Sequence, residues 1–136
     1  MQTFIKVLKK LKSGTWYPFY NSFYEHVPLD SNMIFLESRG GKALEGNIFA
    51  LCRELEKDKY NKFKRILVVN KTSKKTIIQK LKNYDLHVNK IVETGSLQYY
   101  FYLSKAKYLV NDTSFPGRFI KKEKQIYLNV WHGTPL

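Results

Sequence analysis

The sequence predicts an α/β fold, a mainly parallel sheet with flanking helices, and three observations carry that expectation. From Val27 onward the period of the apolar pattern switches repeatedly between strand and helix. The apolar runs of strand length end on small, polar or ionisable residues. No internal repeat or low-complexity linker interrupts the series.

Taken in order, "NMIFLES" reads as the first strand and "RGGKALEG" as the loop after it. A helical stretch over residues 47–57 follows, with Asn47 placed to cap it. "KRILVVNK" reads as a second, buried strand, and Ser73 as the cap of a helix carrying Ile77, Ile78 and Leu81. "NKIVETGS" is a weaker third strand and "LQYYFYLSKAK" a third helix, while "YLVNDTS" and "QIYLNVWHG" complete the series. Crossovers between parallel strands are right-handed, so the expected object is a Rossmann-like layered sheet.

At 136 residues and 43% hydrophobic content the chain can bury one core and make one domain, and a second domain is excluded. The single cysteine, Cys52, falls among Ile48, Leu51 and Leu55 in a helical pattern. It reads as a buried small hydrophobe in a reducing compartment, not as a catalytic thiol. The formal net charge of +13 predicts attraction to a polyanion: nucleic acid, an anionic membrane face or a phosphate-rich substrate. Residues 53–82 hold eleven basic residues against three acidic, which is either the solvated face of two helices or a binding surface.

No run approaches the roughly 20 apolar residues that cross a bilayer, and the N-terminus lacks a signal-peptide pattern, so a cytoplasmic location is expected. Residues 1–12 set Met1, Phe4, Ile5, Leu8 and Leu11 against Lys6, Lys9, Lys10 and Lys12 at helical spacing. Such a helix lies on an anionic leaflet or packs on the domain. Trp16, Tyr17, Phe19, Tyr20, Phe23 and Tyr24 follow, side chains that suit a membrane interface or a packing surface. Residues 1–26 are therefore read as a basic, aromatic, membrane-associating segment and residues 27–136 as the α/β domain.

In parallel sheets ligands bind beyond the carboxyl ends of the strands. Those ends are Ser38, Arg39, Gly40 and Gly41; Asn70; Thr94 and Gly95; Asn111, Asp112 and Thr113; and Trp131, His132 and Gly133. "SRGGK" lets the backbone approach a phosphate that Arg39 or Lys42 pairs with, though it has neither the dinucleotide-binding nor the P-loop spacing. Asp112 is either a residue that orients a hydroxyl or part of a turn before "TSFPG". His26, His87 and His132 are scattered without metal-ligand spacing, so neither a metal nor another cofactor is expected.

The most specific stretch is the last. "VNDTSFPGRFIKKEKQIYLNVWHGTPL" resembles the segment of the CDP-glycerol glycerophosphotransferase family, the teichoic acid polymerases and primases, that closes on a Trp-His-Gly-Thr-Pro-Leu signature. "VPLDSNMIFLESRGGKALEGNIFALCREL" is similar to that family's first strand, loop and helix. The resemblance implies a two-domain GT-B-like transferase, of which this chain matches the acceptor-side N-terminal domain. The site for the CDP-glycerol or CDP-ribitol donor then lies mainly in a C-terminal domain without counterpart here.

It further implies that His132 is the general base on the terminal hydroxyl of a lipid-linked glycerophosphate acceptor, which attacks the donor β-phosphate and expels CMP. Arg39, Gly40, Asn111, Asp112, Trp131, Gly133 and Thr134 are the candidate substrate-binding residues, and the expected place of work is the cytoplasmic face of the membrane, held peripherally. The alternative is a non-catalytic basic module for nucleic acid or anionic membrane. The aromatic residues concentrate in the N-terminal segment and one helix, which disfavours nucleic acid as the partner.

Overall fold

The computed structural model describes residues 26–113 and 121–130. Five strands, β1 (Asp30–Glu37), β2 (Lys64–Val69), β3 (Lys90–Glu93), β4 (Ala106–Asn111) and β5 (Ile126–Asn129), form one sheet in the order β3-β2-β1-β4-β5. Every neighbouring pair is parallel. Three helices connect them: α1 (Gly46–Glu54), α2 (Lys74–Asn83) and α3 (Leu97–Lys105). The α/β fold with a Rossmann-like parallel sheet is what the alternating pattern predicts.

Side chains of β1 alternate between the two faces of the sheet. Met33 and Phe35 join Ile66, Val68, Val92 and Leu109 under Tyr99, Tyr100 and Leu103 of α3. Ile34 and Leu36 join Leu67, Val69 and Val110 under Ile48 and Cys52 of α1 and Ile77 and Leu81 of α2. Strands covered on both faces must be apolar throughout, which is why these runs do not alternate. The right-handed crossover rule explains the sides. The chain steps outward from β1 to β2 to β3 through α1 and α2, then returns past β1 to β4, so α3 lies on the opposite face.

Element ends differ from the expected ones in instructive ways. Asn47 does not cap α1: the extended residue at the cap is Glu45, and Asn47 lies inside the first turn, its Nδ2 donating to Val130 O at 3.0 Å. The helix stops at Glu54, and a short 3-10 turn over Asp58–Tyr60 follows. Ser73 stands at the start of α2, but its hydroxyl donates to Gly41 O at 2.6 Å and caps no amide. Ser96 does cap α3, accepting from Tyr99 N at 3.2 Å.

Cys52 is buried, and burial pushes its thiol up to about 12, so it stays protonated as a packing residue. The basic stretch 53–82 is not all surface. Arg65 is buried, with its guanidinium donating to Leu55 O and to His87 O and standing 3.5 Å from Glu56.

One carboxyl is enclosed. Glu37, the last residue of β1, is 2% exposed and accepts from Tyr99 Oη at 3.1 Å. Burial is the largest influence and, helped by the charge of Asp112, pushes its pKa to about 7 against the opposing effect of the Tyr99 and Asn111 side chains. Its folded pKa is above the ordinary 4.5, so the folded state holds an extra proton between the two values. The resulting stability is complete below about pH 4.5 and is lost as pH rises through about 7.

That difference is worth on the order of 3 kcal/mol. Glu37→Gln, which copies the protonated form, is therefore expected to gain stability relative to the native chain between about pH 5 and about pH 8. Urea unfolding at the two pH values checks it, and a constant difference between the two proteins would refute it. A second expectation separates two neighbouring glycines. A Cβ on Gly41, at φ +84°, would lie 3.0 Å from Asn70 N and Val69 C, whereas one on Gly40 meets nothing within 4 Å. Gly41→Ala should cost about 2–4 kcal/mol and Gly40→Ala only about 1, read by the same unfolding measurement.

Candidate functional site

The sheet order reverses between β1 and β4, and a crevice opens at such a point beyond the carboxyl ends of the strands. Register places Glu37 beside Asn111 and Asn111 beside Asn129, so the ends of β1, β4 and β5 stand side by side. The first strand runs into Arg39, Gly40 and Gly41, three consecutive residues at φ +50°, +64° and +84°. Gly41 N donates to Ser38 O at 2.8 Å and Lys42 N to Arg39 O at 3.2 Å, closing a tight turn.

This turn is pinned from two sides. Asp112, 1% exposed, accepts from Arg39 N at 2.7 Å through Oδ1. Gly41 O accepts from Asn70 N at 2.8 Å and from Ser73 Oγ, which fixes the turn to the start of α2. Ser38 Oγ accepts from Glu45 N at 3.1 Å and so bridges the base of the loop. What stays outward is Gly40, with open space beside it, and the half-exposed guanidinium of Arg39, whose Nε is 3.0 Å from Glu45 Oε2 in an ion pair not aligned as a hydrogen bond. An exposed pair of this kind is worth about 0–1 kcal/mol, so the guanidinium can turn to an incoming phosphate.

At the end of β4, Asn111 is fully buried, accepts from Tyr127 Oη at 2.7 Å through Oδ1, and leaves Nδ2 without a hydrogen bond. The structure thus brings together Arg39, Gly40, Asn111 and Asp112. Trp131, His132, Gly133 and Thr134 lie outside the described residues, as does the basic helix expected over residues 1–12; Val130 is the last described position before them. Asn70 and Thr94 serve the loops they stand in: Asn70 Oδ1 accepts from Ser73 N, and Thr94 N donates to Val69 O.

Three neighbours of the crevice went unread in the sequence: Glu37, Tyr127 and Asn129. A carboxylate closing an apolar run was the visible signal for Glu37. Nothing local marked Tyr127 or Asn129, since their partners across the strand end, Asn111 and Thr113, are each 16 residues away.

Among the described residues, an ionisable cluster also stands beside the edge strand β3. His87 precedes β3 and meets Glu56 at 3.0 Å, and this hydrogen bond and charge raise the imidazole's pKa. Among the described residues, no group of three His, Cys, Asp or Glu side chains could hold a metal ion, and no helix is long and apolar enough to cross a membrane.

Comparison with known proteins follows the same outline. The model of the family described as CDP-glycerol:poly(glycerophosphate) glycerophosphotransferase matches residues 19–136. A teichoic acid poly(glycerol phosphate) polymerase of Bacillus spizizenii is 31% identical over 112 residues, 81% of this chain and 26% of that protein. The solved wall teichoic acid polymerase TagF superposes with a TM-score of 0.71 at 24% identity, over 99% of this chain and 32% of the polymerase. A variant of that polymerase soaked with CDPG gives 0.73 at 23% identity, over 98% and 32%. The chain spans about a quarter to a third of the length of these proteins, and within that span it belongs to the CDP-glycerol:poly(glycerophosphate) glycerophosphotransferase family.

Proposed function

We propose that this chain is the acceptor-side domain of a glycerophosphotransferase that moves glycerol phosphate from CDP-glycerol to the terminal hydroxyl of a lipid-linked glycerophosphate polymer. The observation that carries the reading is the arrangement at the switch point: an outward Arg39 and Gly40 on a turn pinned by Asp112, beside the strand that runs directly into the Trp-His-Gly-Thr-Pro-Leu segment. Arg39 pairs with a phosphate of the acceptor, and the open side of Gly40 lets that phosphate reach the main chain. An alcohol is a poor nucleophile at neutral pH. His132 takes its proton as the oxygen attacks the β-phosphorus; the bond from that phosphorus to CMP breaks, and CMP leaves with the electron pair. Trp131 packs on the glycerol unit or steadies the imidazole, Gly133 permits close approach, and Thr134 is a further substrate-binding residue.

The donor is held by a domain beyond the part of the family that this chain matches. In-line transfer needs both substrates fixed together, so the 136-residue chain alone should release no CMP from CDP-glycerol. In a transferase that carries this chain as its N-terminal domain, His132→Ala should lower turnover by about 10² to 10⁴-fold with little change in acceptor binding. Turnover per folded enzyme, followed as CMP release with CDP-glycerol and with CDP-ribitol as donors, is the measurement. A normal rate constant in the variant sinks the assignment, and a preference for the ribitol donor would change the substrate.

A lipid-linked acceptor puts the enzyme at the cytoplasmic face of the membrane, held there peripherally by residues 1–26. Their apolar stripe and lysines suit an anionic leaflet. The chain is expected to bind anionic liposomes in a salt-sensitive way and to lose that binding when its first 12 residues are removed. Equal co-sedimentation with neutral vesicles, indifferent to the deletion, would contradict the electrostatic anchor.

A further inference from the structure

Strand β5 is short and exposed along its whole length, and at its exit Val130 is partly buried against the cluster under α1 and α2. Polar contacts add direction to that packing. Val130 N donates to Asn111 O at 2.8 Å, extending the ladder one residue past the strand. Tyr127 Oη donates to Asn111 Oδ1 at 2.7 Å, and Asn129 Nδ2 to Thr113 O at 2.7 Å. From the other side Asn47 Nδ2 donates to Val130 O at 3.0 Å, joining the first turn of α1 to a residue 83 positions away.

The chemistry of Asn47 is informative. In the first turn of a helix, a carboxylate interacts better with the partial positive charge of the helix end than an amide does. Only the amide has a donor for the Val130 carbonyl. The residue therefore suits the contact to β5 better than it suits the helix it stands in.

We propose that Asn47 and Asn111 are positioning residues for His132, acting through Val130, which stands two residues before it in the sequence. This rests on the reading of His132 as the base at the acceptor site. Asn47 holds the Val130 carbonyl with its side-chain amide, the main-chain carbonyl of Asn111 holds the Val130 amide, and the Asn111 side chain ties Tyr127 of the same strand, so the peptide planes on both sides of Val130 are held.

The test uses the isotope-labelled 136-residue chain, with the imidazole signals of His132 assigned by loss in His132→Ala. Asn47→Ala and Asn47→Asp both remove the donor, but the aspartate keeps or improves the helix start. Both variants should shift the His132 signals and speed hydrogen exchange at the Val130 amide by about 3- to 10-fold, with the His87 signals unmoved and no loss of melting temperature in Asn47→Asp. If Asn47→Asp matches the native chain at His132 and Val130, Asn47 serves only its helix and the proposal fails for it.

Tyr127→Phe removes the hydroxyl from Asn111 without touching the buried amide and should change the same two signals. Unchanged signals there overturn the part assigned to Asn111. Because the readout is not activity, the two ideas fail separately. Unmoved His132 signals defeat the positioning and leave the base intact, whereas a fully active His132→Ala enzyme defeats the base.

Discussion

The right hand of parallel crossovers governs this molecule. Three strands are laid down in one direction, β1 to β3, and the only way to continue on the free side of β1 is to return across the other face through α3. The strand order therefore reverses between β1 and β4, and a crevice opens there beyond their carboxyl ends. The side chains at that crevice are drawn from stretches more than 70 residues apart, as Arg39 and Asp112 are.

Burying both faces of β1 and β4 has a second effect. Where these strands end, polar groups begin in a place that is still dry, and Glu37, Ser38, Asn111 and Asp112 are all buried. Each must find a partner there. The partnership of Asp112 with the Arg39 amide decides a local conflict. A non-glycine residue at positive φ costs about 1–2 kcal/mol, and a hydrogen bond to a charged acceptor is worth about 1.5–3, so the arginine can be held in a conformation it would otherwise avoid. A rigid turn that presents a cation is the outcome.

Much of this architecture could be read in advance, for physical reasons that also mark the limits. Runs such as "MIFL" and "ILVV" announce doubly covered strands because burial on two faces leaves no polar position. The polar loop residues Arg39, Gly40, Asn111 and Asp112 could be nominated because strand ends in such sheets meet at one edge. Asn47 was misread because cap preference is local while its partner is the distant carbonyl of Val130. The enclosed state of Glu37 depends on Tyr99 closing over it from α3, a tertiary fact that no window of sequence contains. Arg65 made the same point for charge: a count of basic residues does not say which of them the core has taken in.

Cys52 lends itself to a different use. It is the sole thiol of the chain, it stands on α1 against the sheet face, and its 4% exposure leaves a reagent no approach while the helix is seated. Alkylation must therefore wait for α1 to lift or for the whole domain to open. When reclosing outpaces modification, the labelling rate is set by the population of the open form and measures the free energy of that opening. With one sulfur per molecule, each modification counts one event. The chain thus carries its own gauge of how firmly the helix bearing Asn47 is seated on the sheet.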